Sequence, residues 1–465
     1  MMGDFSHVRQ RMNATGIGFA GIDGAWWLPA VEPFPLPATV ADDLVQIGQA
    51  IFLLFDTVIA MYGAAAGEAG GLTQLLQYKV PAHIPLLMGG GRVEGVRPDF
   101  QLQLRSTNAG QRYQLVATEL EICPATQGFA HAMQVGYGLR PDLVEHFADY
   151  LAGRTLLFAG THQWSEFLFE QLAFCRALAQ FGAKGRVLYD RPIATIADDV
   201  RTGTRWQPPM FGIKTKSAGW NDDVLGRLRA QGLAAYLWTP DDAWPEEVGD
   251  AVVFRFGYFD CFAPDVLQRL LAWEAQGATM LNPTMFILDS KVIMAALQLP
   301  AVREQIRAVD ANAMAVLDQC IPETLLLQPE LFSRLLNEKD DWVLKFAGFD
   351  SGNQAWGGRS LQIGAHHSPE AWRHILHQYT ELPWPVVAQQ AAPSVQVDIA
   401  YSDAQEKIGW LRQGATRLRS FMLRQPASQG DEKTKVFVGG SHITVSGSMQ
   451  VSESTDAVQA PVVYL

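Results

Sequence analysis

The chain has 465 residues, 48% of them apolar and 18% charged, with 13 tryptophans and 24 phenylalanines; this excludes a disordered protein and supplies core for about two to four packed units. Its 48 acidic and 36 basic residues leave a net charge of −12, which disfavours nucleic acid and an anionic membrane surface as partners but leaves room for local basic pockets. Four scattered cysteines (Cys123, Cys175, Cys261 and Cys320) form no Cys-x-x-Cys pair, so neither a disulfide framework nor a metal cluster is expected, and a reducing cytoplasm is the expected compartment.

Residues 1–16 are charged and lack an apolar core, unlike a secretory signal. Residues 1–40 are rich in Pro, Gly and Trp and read as an irregular entry segment. A helical pattern covers 42–63. Its apolar stretch is shorter than the roughly 20 residues a bilayer requires, and Asp56 sits in its middle, so a buried helix is expected. Two strands around a turn follow over 97–122. From Arg154 the pattern alternates, with strands at 155–160, 185–190 and 251–257, a helix at 166–181 and further α/β pieces at 222–238. That alternation predicts a small open parallel sheet. A helix over 266–276, a strand over 278–283 and a helix opening at Ser290, its N-cap, come next. Strands at 384–390 and 435–440 flank a polar loop at 425–433.

Residues 342–364 carry the first chemical signal. An apolar strand delivers Lys345, and a glycine-rich turn with Asp350 and Asn353 follows before the chain re-enters a strand. Backbone N–H groups and one ammonium can wrap a polyphosphate in this way. A glycine-containing hairpin with a surface lysine fits the same residues.

The second signal is acidic. Apolar alternation over 97–105 and 113–122, around Asn108-Ala-Gly110, predicts a β-hairpin. With the turn centred on Ala109, Asp99 faces Glu119 and Arg97 faces Glu121, all four on one face. Three crowded carboxylates repel unless cations sit among them. Arg97 relieves part of this, and Mg²⁺, which prefers hard oxygen ligands, would relieve the rest. A solvated polar face with a surface salt bridge is the competing reading.

Together these residues resemble the ATP-grasp superfamily, in its circularly permuted branch of eukaryotic-type glutathione synthetases and glutathionylspermidine synthases. Arg97-x-Asp99 with Glu119-Leu-Glu121-x-x-Pro124 is similar to the family's Arg-x-Asp…Glu-x-Asn strand pair. Here that pair precedes the nucleotide lysines, the order of the permuted branch. Asn282-Pro283 with Ser290-Lys291, Pro322-Glu-Thr324, Val343-Leu-Lys345 and Val386-Val-Ala-Gln-Gln390 resemble the remaining pieces. Glu121 stands where the family has Asn, and Phe346 where it has Pro. Ser441 and His442 follow Gly439-Gly440 where an arginine is often found.

The resemblance implies an α+β and α/β chain: a permuted ATP-grasp fold with a small open parallel α/β substrate domain. Residues 1–153 would carry the acidic hairpin, 154–283 the substrate domain, and 284–465 the nucleotide part with its lid and C-terminal strands. It implies ATP-dependent carboxylate–amine ligation through an acyl phosphate, with ATP and Mg²⁺ as cofactors. Lys291 and Lys345 would grip the phosphates, Gly352, Asn353 and Gly357 would close over them, and Gln389 and Gln390 would border adenine. Asp99, Glu119, Glu121 and Asp350 would hold Mg²⁺, and Arg97 would be catalytic. The partners would be a small carboxylate and an amine, and a homodimer is compatible with the family. Two alternatives stay open. One is a decayed, non-catalytic fold that binds ATP or peptide, and the other is a phosphotransferase using a histidine such as His366 or His367.

Overall fold

The computed structural model describes residues 6–16, 27–64, 70–82, 84, 91–107, 110–196, 198–199, 224–242, 244–350, 355, 360–403, 406–425, 435–448 and 457–465. Gly352, Asn353 and Gly357, the turn residues 108 and 109, and loop residues 426–433 lie outside the described residues.

The N-terminal part contributes β1 (Trp27–Pro29), β2 (Phe34–Leu36), β3 (Gly95–Thr107) and β4 (Gly110–Glu121). The middle contributes β5 (Thr155–Ala159), β6 (Lys184–Leu188), β7 (Leu237–Trp238), β8 (Val252–Arg255) and β9 (Thr279–Met280). The C-terminal part contributes β10 (Thr324–Leu326), β11 (Trp342–Phe346), β12 (Gln362–Ile363), β13 (Val386–Gln390), β14 (Gln396–Ser402), β15 (Ile408–Arg424), β16 (Val436–Ser446) and β17 (Ala457–Tyr464).

These strands form three sheets. The largest runs β1-β17-β16-β15-β3-β4, with β14 also on β15 and β2 on β17, so it joins strands from both ends of the chain. A four-stranded sheet runs β10-β13-β11-β12. The third, β7-β6-β5-β8-β9, is parallel throughout, as the alternating pattern predicts. Its order reverses beside β5: the chain steps outward through β6 and β7, then returns to β8 on the opposite side.

The helix Ala38–Ala64 lies across the largest sheet and buries Phe52 and Phe55 completely. Its length and apolar composition would suit a bilayer, yet 56% of its apolar window is buried inside the protein. Asp56 is met by Arg424 of β15 at 2.7 Å, so its charge is paired. A second core joins the parallel sheet to the helices Asp142–Leu151 and Leu168–Gln180.

Three local expectations need correction. The entry segment is not wholly irregular, because residues 6–14 are helical and β1 and β2 pair in parallel with β17. Strands of three residues have no period to read, and their partner lies at the far end of the chain. The helix expected from 166 opens as a 3₁₀ turn, His162–Phe167, kinked at Trp164, before the α-helix Leu168–Gln180. Of 278–283, only Thr279 and Met280 pair as a strand, because the Asn282 side chain then bonds both backbone groups of Arg255.

Candidate functional site

The acidic hairpin forms with the expected pairs at its base, Arg97 opposite Glu121 and Asp99 opposite Glu119. The route differs from the expectation. Thr107 pairs with Gly110, half a residue off the assumed turn centre, and a bulge at Thr118 restores the register. A bulge leaves one backbone carbonyl outside the ladder. Here the Thr118 carbonyl accepts a hydrogen bond from Lys345 Nζ at 3.1 Å.

Lys345 projects from the middle of β11 and also donates to Gln389 Oε1 at 2.7 Å. Gln389 is held by its own amide, which donates to Thr324 Oγ1 at 3.0 Å, while Gln390 is exposed at the cleft edge. Lys291 stands at the start of a short helix. Its backbone N–H bonds the Ala347 carbonyl at 2.8 Å, tying that helix to the end of β11. The Ser290 hydroxyl accepts from Val292 N–H at 3.2 Å, but the cap position of the helix is Lys291 rather than the expected Ser290. Lys291 Nζ reaches Glu119 at 2.9 Å and the Ala355 carbonyl at 2.6 Å. Burial lowers the Lys345 ammonium to about 8, and the nearby Lys291 charge pushes the same way against the pull of Glu119. Asp350 is buried and accepts from Ala355 N–H at 3.0 Å.

Asp99 sits on a central strand, with Glu119 beside it on β4 and Arg419 beside it on β15. Three guanidinium groups converge on it: Arg419 at 3.0 Å, Arg417 at 3.1 Å and Arg97 at 3.6 Å. Burial would raise this carboxyl, but Arg419, Arg97 and Arg417 together hold it well below the usual range. Arg419 is also the register partner of His442. A guanidinium therefore stands on the strand beside the one that follows Gly440.

Glu121 is buried and already has partners. It accepts from Cys123 N–H at 3.0 Å and from the Tyr258 hydroxyl at 2.9 Å. Burial, then the Glu119 charge, pushes it up to about 7. Cys123 is a buried free thiol whose sulfur lies 3.1 Å from the Arg255 carbonyl and from Gly257 N–H; burial raises its pKa.

All the predicted site residues just described except Asp350, which is not among the lining residues, line one cleft of 420 Å³, where the largest sheet meets the four-stranded and parallel sheets. Arg97, Asp99, Glu119, Glu121, Lys291, Lys345, Gln389 and Gln390 all reach it, as do Arg417, Arg419, Trp164, Phe167 and Tyr258. The last five were not anticipated. Arg417 and Arg419 did carry a signal, since residues two apart on a strand share a face. The three aromatic residues carried none. Among the described residues, no group of three or more His, Cys, Asp or Glu side chains is placed to hold a metal ion. The acids are divided instead: Asp99 to guanidinium groups, Glu119 to an ammonium, and Glu121 to a phenol. His366 and His367 lie on a turn outside the residues that line the cleft. The arrangement can bind a polyanion at its lysine end and a carboxylate or phosphoryl group at its arginine end.

No family model matches the chain, and no curated protein matches its sequence. Its structure is similar to that of a glutathione synthetase-like effector from Globodera pallida in the apo form, with a TM-score of 0.55 and 11% identity over 99% of this chain and 97% of the other. A proposed γ-glutamylcysteine synthetase from Methylobacillus flagellatus aligns at 12% identity over 77% of this chain and 78% of that one, with a TM-score of 0.36. The first likeness is one of fold alone: a mixed α/β architecture of the glutathione synthetase-like type. The second is too distant in shape to support any conclusion.

Proposed function

We propose that this protein is an ATP-dependent carboxylate–amine ligase on a circularly permuted ATP-grasp fold. One observation carries the reading. In a chain of net charge −12, two ammonium and three guanidinium groups converge on a single cleft beside a bulged acidic hairpin. Buried cations crowded together cost free energy unless an anion answers them, and a nucleotide triphosphate with an activated carboxylate is such an anion.

Lys291 and Lys345 would hold the nucleotide phosphates, each exchanging its present oxygen partner for a phosphate oxygen. Gln389 would keep Lys345 aimed. Glu119, released as Lys291 turns to phosphate, fits a magnesium ion, which takes one or two carboxylates and completes its shell with phosphate oxygens. Asp99, whose oxygens face three guanidinium groups, fits the role of organiser for Arg97, Arg417 and Arg419 rather than that of a metal ligand. Asp350 would hold the backbone at Ala355. Bound ATP would pass its γ-phosphoryl group to a substrate carboxylate, leaving ADP, and an amine would attack the acyl carbon of the resulting acyl phosphate and displace phosphate. The three arginines would hold the carboxylate and the charge that develops there, where positioned donors act most strongly.

The test is hydroxylamine trapping with ADP release across a panel of amino acids, small peptides and other carboxylates. Acyl hydroxamate from at least one acid, lost in Lys345→Ala and Glu119→Ala, is the expected result. ATP binding without turnover on any acid would point to a non-catalytic nucleotide-binding protein instead. Full turnover in both variants would refute the site.

A further inference from the structure

The part of the cleft beside Glu121 has a different chemistry from the parts lined by the lysines and by Arg417 and Arg419. Its walls come from the parallel sheet. Trp164 and Phe167 follow β5, and Tyr258 follows β8, the two neighbouring strands between which the strand order reverses. Crevices beyond the carboxyl ends of strands at such a reversal are where open parallel sheets bind ligands. The kink at Trp164, with φ −118° and ψ 32°, lies in this wall. Its ring meets Tyr258 at 4.8 Å and 80°, and Phe167 at 6.1 Å and 68°. The floor is Glu121, bound to the Tyr258 hydroxyl.

Resting on the ligase reading, we propose that this part of the cleft receives the amine, and that the amine is an ammonium on an apolar body with no carboxylate of its own. Aromatic faces and one buried carboxylate select a cation with hydrocarbon around it. The guanidinium opposite Glu121 is Arg97, and in the ligase reading it is committed to the carboxylate that becomes activated, so it is not left over for a second one. Arg97 donates to the Ala125 carbonyl at 2.6 Å and to Thr126 Oγ1 at 3.1 Å, and pairs with Asp99. The N-terminus of the adjoining helix, Gln127–Gly136, is filled by Glu170, which accepts from Thr126 N–H at 2.6 Å and Phe129 N–H at 3.3 Å. A substrate carboxylate here would meet Glu121 as a like charge. An aralkylamine, alkylamine or diamine meets no such conflict.

The experiment is calorimetric titration of the nucleotide-free protein with three probes of one shape: phenethylamine, phenylalanine and 3-phenylpropionate. Phenethylamine should bind at least about tenfold more tightly than phenylalanine, and 3-phenylpropionate should not bind in this part of the cleft. Glu121→Gln, which keeps the side-chain shape, should weaken phenethylamine at least about fivefold, and Phe167→Leu, at a half-buried position, should also weaken it. Thermal melting of both variants checks that they fold. Equal or tighter binding of phenylalanine, no binding of phenethylamine, or unchanged affinity in Glu121→Gln would each overturn the proposal. A parallel titration with a non-hydrolysable ATP analogue separates the two readings. Amine binding without nucleotide binding removes the ligase and leaves the subsite, whereas the reverse removes the subsite alone.

Discussion

Among the described residues, two buried arrangements of arginine and aspartate differ in their balance of charge, and one of them faces the cleft. Arg255 and Asp289 form a closed pair, with two parallel hydrogen bonds of 2.9 and 2.8 Å. The remaining Arg255 contacts are also filled, by the Gly257 and Pro283 carbonyls and the Phe286 ring. Around Asp99, one carboxylate answers three guanidinium groups. The balanced pair holds β8 to the chain that follows it and has nothing left to offer a ligand. The unbalanced cluster keeps surplus positive charge at the wall of a cavity. Burial of ions is common to both; the ratio of charges distinguishes a structural pair from a binding site.

Mutation should separate the two regions. Arg255→Met strands a buried carboxylate and should destabilise the fold by about 3–5 kcal/mol in denaturant unfolding, the largest effect expected here. Asp289 is already raised by burial and held down only by Arg255, so it should take up a proton in that variant. Arg417→Gln, by contrast, should cost on the order of 1 kcal/mol or less, because two guanidinium groups remain on Asp99. A loss from Arg417→Gln as large as that from Arg255→Met would erase the contrast.

Lys345 sharpens the same contrast. Burial holds its ammonium at about 8 against an ordinary 10.5, so its charge opposes folding below pH 8 and that opposition fades as pH rises from 8 toward 10.5. Lys345→Met should therefore leave stability at pH 7 unchanged or higher, while weakening binding of an ATP analogue about tenfold or more. Binding to the native protein should weaken as pH rises above about 8, and Lys345→Arg should flatten that dependence.

Much of this site was legible in the sequence. Alternation and a turn sufficed to pair Arg97 with Glu121 and Asp99 with Glu119, and apolar strand–helix alternation sufficed for the parallel sheet. The hairpin register came out right at its base only because the bulge at Thr118 offset a misplaced turn centre. Arg417 and Arg419 escaped notice because β15 joins β3 across some three hundred residues, and no local pattern announces such a partner. The roles of the acids were hidden for a related reason. Whether a carboxylate holds a metal, orders arginines or takes a hydroxyl depends on neighbours from other sheets, as Tyr258 does for Glu121.

A further effect, visible only as a pH dependence, concerns Glu121. Its carboxyl is raised from 4.5 to about 7, so it contributes stability that is full below pH 4.5 and lost as pH rises through 7. Glu121→Gln should thus gain on the native protein between pH 5 and pH 8, by about 1–3 kcal/mol at the upper end, as urea unfolding at both values would show. A gap that does not change with pH would mean that Glu121 is ionised at no cost where it lies.

The most direct measurement of the central claim is titration of a non-hydrolysable ATP analogue with magnesium into the native protein, Lys291→Met and Lys345→Met. Saturable one-site binding, lowered about tenfold or more by each substitution in variants that melt normally, is the predicted result. No binding to the native protein, or equal affinity in all three, would contradict it.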